Sequence, residues 1–165
     1  MSKGRPFAKL LLWLALLGIA ILTGARVYQR IAIIPDWSSD LPGSLIKYFQ
    51  GTTQAQDIRR FWESAVPSVT LLMIAALMLN LLDRARRKWL TLAAILYFGA
   101  LAATLLFFVP RGVIPLFVRA GAGMNPETIT HLAKAWIFWD WFRLAALIGT
   151  FFSLLKALTV RILPS

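Results

Sequence analysis

Asp140 and Arg143 stand at i and i+3 in the last apolar segment of the chain, the one place where an acid and a base share an otherwise hydrophobic stretch. One helical turn apart, the two side chains meet on the same face. A desolvated carboxylate held by a neighbouring guanidinium can take a proton from an activated aromatic C–H or O–H, so Asp140 is the candidate catalytic base and Arg143 its charge partner. The candidate substrate-binding residues are Arg26, Glu63, Trp62, Tyr97, Trp136 and Trp139. The same residues also have a purely structural reading. Asp140 and Arg143 can simply neutralise one another, Arg26 with Glu63 can staple two helices, and the tryptophans can form an interfacial belt.

Other chemistries are excluded early. The chain has no cysteine and a single histidine, which removes disulfides, thiolate catalysis, iron–sulfur clusters and histidine-rich metal sites, so no metal is expected. His131 alone reads as a loop or helix-surface residue rather than a catalytic base. Gly121-x-Gly123 lacks the third glycine and preceding strand of a dinucleotide turn, and nothing signals haem or flavin; no cofactor is expected.

The elements that must position these residues follow from composition. The 165 residues are 59% hydrophobic and 15% charged, with a mean hydropathy of +0.69. A soluble domain of this size cannot hide so much apolar surface. An all-α integral membrane protein is expected: a four-transmembrane-helix bundle forming one domain over 1–165. Its spans are placed at about 9–29, 63–82, 89–110 and 134–156, and its long outer loops at about 30–62 and 111–133. Turn signals at Pro35-Asp36, Leu41-Pro42-Gly43 and Gln50-Gly51 punctuate the first loop, with a short apolar turn at Leu45–Phe49 and the next helix beginning near Gln54. Asn125 before Pro126 and Glu127 reads as a helix N-cap, so the last helix should begin well before its apolar part.

The net charge of +11 would suggest nucleic acid in a soluble chain. Here the basic residues report topology instead. Arg84, Arg86, Arg87 and Lys88 crowd one short turn, a topology and lipid-phosphate signal, while the long loops dilute their bases and hold four of the seven acids. Both termini are therefore expected in the cytoplasm, in a bacterial inner membrane. The bilayer is the expected partner, with a membrane protein or an amphipathic small molecule as further partners, and no nucleic acid. In an alternative reading Leu10–Leu22 and Thr23-Gly24-Ala25 are a cleaved secretory signal, which would leave three spans. Against it, Arg26, Tyr28 and Arg30 continue at helical spacing toward Pro35.

Each span carries one polar stripe. On the fourth it is Trp136, Asp140, Arg143, Leu147, Thr150 and Leu154; on the second, Glu63, Pro67, Thr70, Met73, Leu77 and Asn80. The third offers Tyr97, Thr104, Phe108 and Arg111, and the first Thr23, Arg26 and Arg30. In lipid such stripes face one another. Arg26, Glu63, Arg111, Asp140 and Arg143 are thus expected to converge on one outer-leaflet cavity beneath Trp37, Tyr48, Phe49, Phe61 and Trp62.

The emergence of the first span as Thr23-Gly24-Ala25-Arg26-Val27-Tyr28, its run to Pro35-Asp36-Trp37, Phe61-Trp62 ahead of the second span, and Trp139 with Arg143 in the last resemble the anthrone-oxygenase-like family of small four-span bacterial membrane proteins. The resemblance covers most of the chain through hydropathy, topology and these few residues. What it implies is cofactor-independent oxidation of aromatic anthrones to quinones. Asp140 stands between Trp139 and Trp141 where the resemblance would imply a histidine, and His131 lies well upstream. Two functions remain in view: binding or oxidising an amphipathic aromatic or quinone-like molecule, or a non-enzymatic accessory subunit or assembly factor packed against a larger membrane partner. A channel has little support, since no broken helix pair or chain of carboxylates is present.

Overall fold

The structure, a computed structural model, describes residues 4–51, 53–106, 109–110, 116–117 and 123–160. Among the described residues there is no β-strand, and the helices are α1 (Gly4–Tyr28), α2 (Ile34–Ser38), α3 (Gly43–Gly51), α4 (Thr53–Asn80), α5 (Arg84–Ala103) and α6 (Pro126–Thr159). A π-helical turn, Gln29–Ile33, carries α1 into α2. Among the described residues, four continuous stretches are long and apolar enough to cross a membrane: Pro6–Ser38, Thr53–Asn80, Arg84–Leu106 and Pro126–Thr159. The protein is an all-α, multi-pass membrane protein with four spanning helices, as its apolar segments require. Phe108, Arg111 and Gly121, named above, lie outside the described residues.

The helices outrun the apolar segments that announce them because capped polar turns prolong them. Asn125 Oδ1 accepts from the Glu127 backbone N–H at 3.0 Å, its carbonyl accepts from Ile129 N–H, and Pro126 occupies the first helical position. These contacts satisfy donors the helix start would otherwise leave bare. Asp83 does the same for α5: its carboxylate accepts from Ala85 N–H at 3.1 Å and its carbonyl from Arg86 and Arg87. Inside the spans, Thr23, Thr70, Thr104, Thr150 and Ser153 each donate to the carbonyl four residues back. Each hydroxyl is thereby satisfied on its own helix.

The segment 30–62, expected as a loop, is largely helical over its described residues. Trp37, 1% exposed, anchors it. Ser44 Oγ donates to the Trp37 carbonyl at 2.7 Å and accepts from Asp40 N–H at 3.1 Å, which ties the end of α2 to the start of α3.

Two compact units divide the chain. The first comprises Met1–Gly24, Glu63–Gly99 and Ala145–Ser165. Within it α1 approaches α4 closely at Gly18, where an added Cβ would lie 2.9 Å from Val69 Cγ2. α6 likewise meets α5 at Gly149, where it would lie 2.8 Å from Leu96 Cδ1. Tyr97 and Thr70 share a hydroxyl–hydroxyl bond of 2.8 Å. Asn80 donates to the carbonyls of Ala8 and Ala76 and accepts from Arg86.

The second unit comprises Ala25–Trp62 and Ala100–Leu144. Its core gathers Ile33, Ile34, Trp37, Leu45, Tyr48, Leu116, Ile129, Ala133 and Trp136. Phe117 is the aromatic hub, with ring centroids 5.8 Å from Trp37, 4.5 Å from Phe49 and 5.4 Å from Trp136. This packing fixes the α6 turn from which the polar residues project.

Candidate functional site

The fourth-span stripe is buried along its length: Trp136, Asp140, Arg143, Leu147, Thr150 and Leu154 are all buried. Its charged part belongs to the second unit and centres on Asp140, whose side chain is 1% exposed. Three guanidiniums surround this carboxylate. Arg26, in the last turn of α1, donates to Oδ1 at 3.1 Å, and Arg143 lies 3.1 Å from the same oxygen. Arg30, in the π-helical turn, is 3.9 Å from Oδ2 and donates to the Ile137 carbonyl at 2.7 Å. π-Helical turns are often found at functional sites, and this one carries a cation to α6.

Each guanidinium also covers one indole. Arg26 lies 4.1 Å from the Trp62 ring centroid, Arg30 4.1 Å from Trp141 and Arg143 3.7 Å from Trp136. Helical side chains lean toward the N-terminus, which lets Arg143 reach back over Trp136 seven residues earlier. Weakly hydrated guanidinium faces suit such stacking, and they keep their in-plane N–H groups for oxygen acceptors.

Beside the cluster runs a groove of about 280 Å³, lined by Ala25, Tyr28, Gln29, Ile33, Gln54, Asp57, Ile58, Phe61 and Trp62. The end of α1, the π-helical turn and the first turns of α4 supply this lining, which is mainly apolar and aromatic. Two of its residues touch the cluster directly. Trp62 lies under Arg26, and Gln29 Oε1 accepts from Arg26 Nη1 at 3.1 Å. Phe61 stacks edge-on against Trp62, centroids 5.2 Å apart. Among the described residues no group of acids and histidines could hold a metal ion.

Of the residues expected to form a site, the structure brings Arg26, Trp62, Trp136, Asp140 and Arg143 into this one unit. Glu63 and Tyr97 belong to the first unit, Glu63 exposed and Tyr97 bonded to Thr70. Trp139 is 43% exposed and stacks with Phe138 and Phe142 on the outer face of α6. His131 is exposed. Arg30, Trp141 and Gln29 are the participants the sequence argument did not single out for the site. Arg30 had a legible signal, its place four residues after Arg26 on the same stripe.

Beyond α3's tie to the core, Tyr48 is the titratable group outside the spans whose surroundings act on it most plainly. Burial, reinforced by the negative charge of Asp36 and by Tyr28, pushes its phenol up from the ordinary range.

Comparison of the chain with protein-family models, with curated proteins and with solved structures finds no match in any of the three.

Proposed function

We propose that the second unit binds an amphipathic, flat aromatic or quinone-like molecule in the groove, with Trp62 and Phe61 against its ring and Arg26 at its polar edge. The observation that carries this reading is the position of Trp62, which lines the groove and lies under the part-buried cation Arg26. An aromatic wall beside a few polar groups is the usual make-up of a small-molecule site. The resemblance to the anthrone-oxygenase-like family points toward the same class of ligand. Binding is better supported than proton abstraction. A general base must come within hydrogen-bond reach of the proton it takes, and Asp140 is 1% exposed and absent from the groove lining.

In this reading the termini are cytoplasmic, the membrane is a bacterial inner membrane and the groove lies on the outer side, reached from the outer leaflet. The dense bases at Arg84–Lys88 support that orientation.

The test is calorimetric titration of the detergent-solubilised protein with a short-chain benzoquinone. Saturable binding that weakens about tenfold in Trp62→Ala is expected, the scale of one lost aromatic contact. Titration curves with no saturation, or saturable binding indifferent to Trp62→Ala and Phe61→Ala, would refute the proposal.

A second reading has one observation in its favour. Phe138, Trp139 and Phe142, all exposed, form a mutually stacked face on α6 on which an accessory subunit could pack against a larger membrane protein. Stoichiometric co-purification lost on Phe138→Ala and Phe142→Ala would support it; a lone monomer in mild detergent would not.

A further inference from the structure

We propose that the ligand of the groove is an anion, a carboxylate or phosphate head on an apolar body, and that the Arg26 guanidinium receives that head. The inference rests on the groove reading above and names the charge of its ligand.

Three observations lead to it. The first is arithmetic. Arg26, Arg30 and Arg143 contribute three positive charges around Asp140, which contributes one negative charge, so the cluster holds a surplus of two. Asp140 is the one acid in the buried class among the described residues. Arg143 is buried and Arg26 and Arg30 are part-buried; surplus charge so placed inside a membrane segment is costly, and an incoming anion offsets it.

The second is an orphan donor. Arg26 Nε is buried and has no hydrogen-bond partner, although its Nη1 serves both Asp140 and Gln29. A buried guanidinium N–H left bare costs free energy that an oxygen acceptor would recover.

The third is proximity. Arg26 is not itself part of the groove lining, but it contacts two residues that are, Trp62 by its face and Gln29 by its edge, so a ligand head that takes the place of the Gln29 side-chain oxygen would meet the guanidinium. The acid of that lining, Asp57, is exposed and lies 3.8 Å from Arg60, which balances its charge. A planar guanidinium favours carboxylate and phosphate oxygens through paired N–H donors, and the apolar groove takes the body that carries them.

Two sources share this chemistry: a free aromatic carboxylate and an anionic phospholipid. The experiment therefore uses two matched pairs on the whole protein in non-ionic detergent, 2-naphthoate against methyl 2-naphthoate, and short-chain phosphatidylglycerol against phosphatidylcholine. In at least one pair the anion should bind about tenfold more tightly, a preference equivalent to about 1.4 kcal/mol. The naphthoate pair would identify a free anion and the phosphatidylglycerol pair a lipid. Arg26→Gln should erase the preference and Arg26→Lys retain part of it. Because Arg26→Gln disturbs a buried cluster, Gln29→Glu provides a second variant: it keeps shape and acceptor while placing a negative charge beside Arg26, and it too should erase the preference. Equal affinity within both pairs, lost in Trp62→Ala, would overturn the anion inference and leave the groove reading standing. No binding by any of the four probes would overturn both. A preference that survives Gln29→Glu and Arg26→Gln unchanged would overturn the role of Arg26.

Discussion

Arg26 and Asp140, 114 positions apart in the sequence, meet at 3.1 Å. The contact joins the end of α1 to the middle of α6 within one compact unit, and it gives Oδ1 of Asp140 a second cation besides Arg143. A lone i, i+3 pair on α6 would need nothing from another helix. By drawing in Arg26 and Arg30, Asp140 becomes the shared acceptor of two chain segments, so its loss strands more than one charge.

Asp140→Asn should therefore destabilise the second unit by roughly 3 kcal/mol, the scale for breaking a buried ion pair while leaving its partner in place. Arg26→Gln should cost less, because Asp140 keeps Arg143 and Arg30. The double variant should cost less than the two single changes added together, by roughly 1–3 kcal/mol of coupling. Equilibrium unfolding in mixed micelles measures all three. Additive losses would mean that Arg26 and Asp140 are neighbours without mutual dependence.

The spacing of Asp140, Arg143 and Trp136 made the buried stripe of α6 readable, since a helical period of 3.6 fixes which residues share a face whatever packs against it. Asn125-Pro126 announced the helix start for an equally local reason. What could not be read was partner choice between helices. A polar stripe says that a residue faces inward, but it does not say what stands opposite, so the sequence leaves Arg26 with both Glu63 and Asp140 as candidate partners, and the structure bonds it to Asp140 and Gln29. The helical character of 30–62 was only partly visible because Pro35, Pro42 and Gly43 punctuate it. There Trp37 and Ser44 override the breakers through burial and side-chain hydrogen bonds, contacts made by tertiary context.

Gly18 and Gly149 separate two kinds of close approach in the first unit. Gly18→Ala brings a methyl within 2.9 Å of Val69 Cγ2 and 3.3 Å of Cγ1, and a β-branched side chain on a helix has little rotamer freedom to retreat. A loss of about 1–2 kcal/mol is expected, after allowing for alanine's better helix propensity. Gly149→Ala meets only the far end of Leu96, Cδ1 at 2.8 Å, which can swing aside, so it should be neutral or slightly stabilising. Thermal midpoints of the two variants in the same detergent decide the matter, and the reverse order would contradict the packing described here.

Asn80 joins three segments, the Ala8 carbonyl in α1, the Ala76 carbonyl in α4 and Arg86 in α5. Asn80→Ala should lower stability by about 1–3 kcal/mol, because it strips a buried guanidinium of an acceptor as well as removing two donated bonds. Hydrogen exchange at the start of α5 should accelerate in the same variant. Unchanged exchange there would confine the role of Asn80 to its own helix.

Tyr48 gives the fold a pH dependence whose sign can be worked out. Its phenol is raised by burial, then by Asp36 and Tyr28, so the folded protein holds the phenolic proton more tightly than the unfolded chain. Stability from this group is complete below the ordinary phenol range and falls as the pH rises through about 10 and beyond. Tyr48→Phe removes the titration while keeping the ring against Phe49, 5.1 Å between centroids in the wild type. Between about pH 9 and about pH 11 the wild type should lose more thermal stability than Tyr48→Phe, with the two converging in slope below that window. Parallel curves across the whole range would show that Tyr48 ionises in the folded protein as freely as in the unfolded chain.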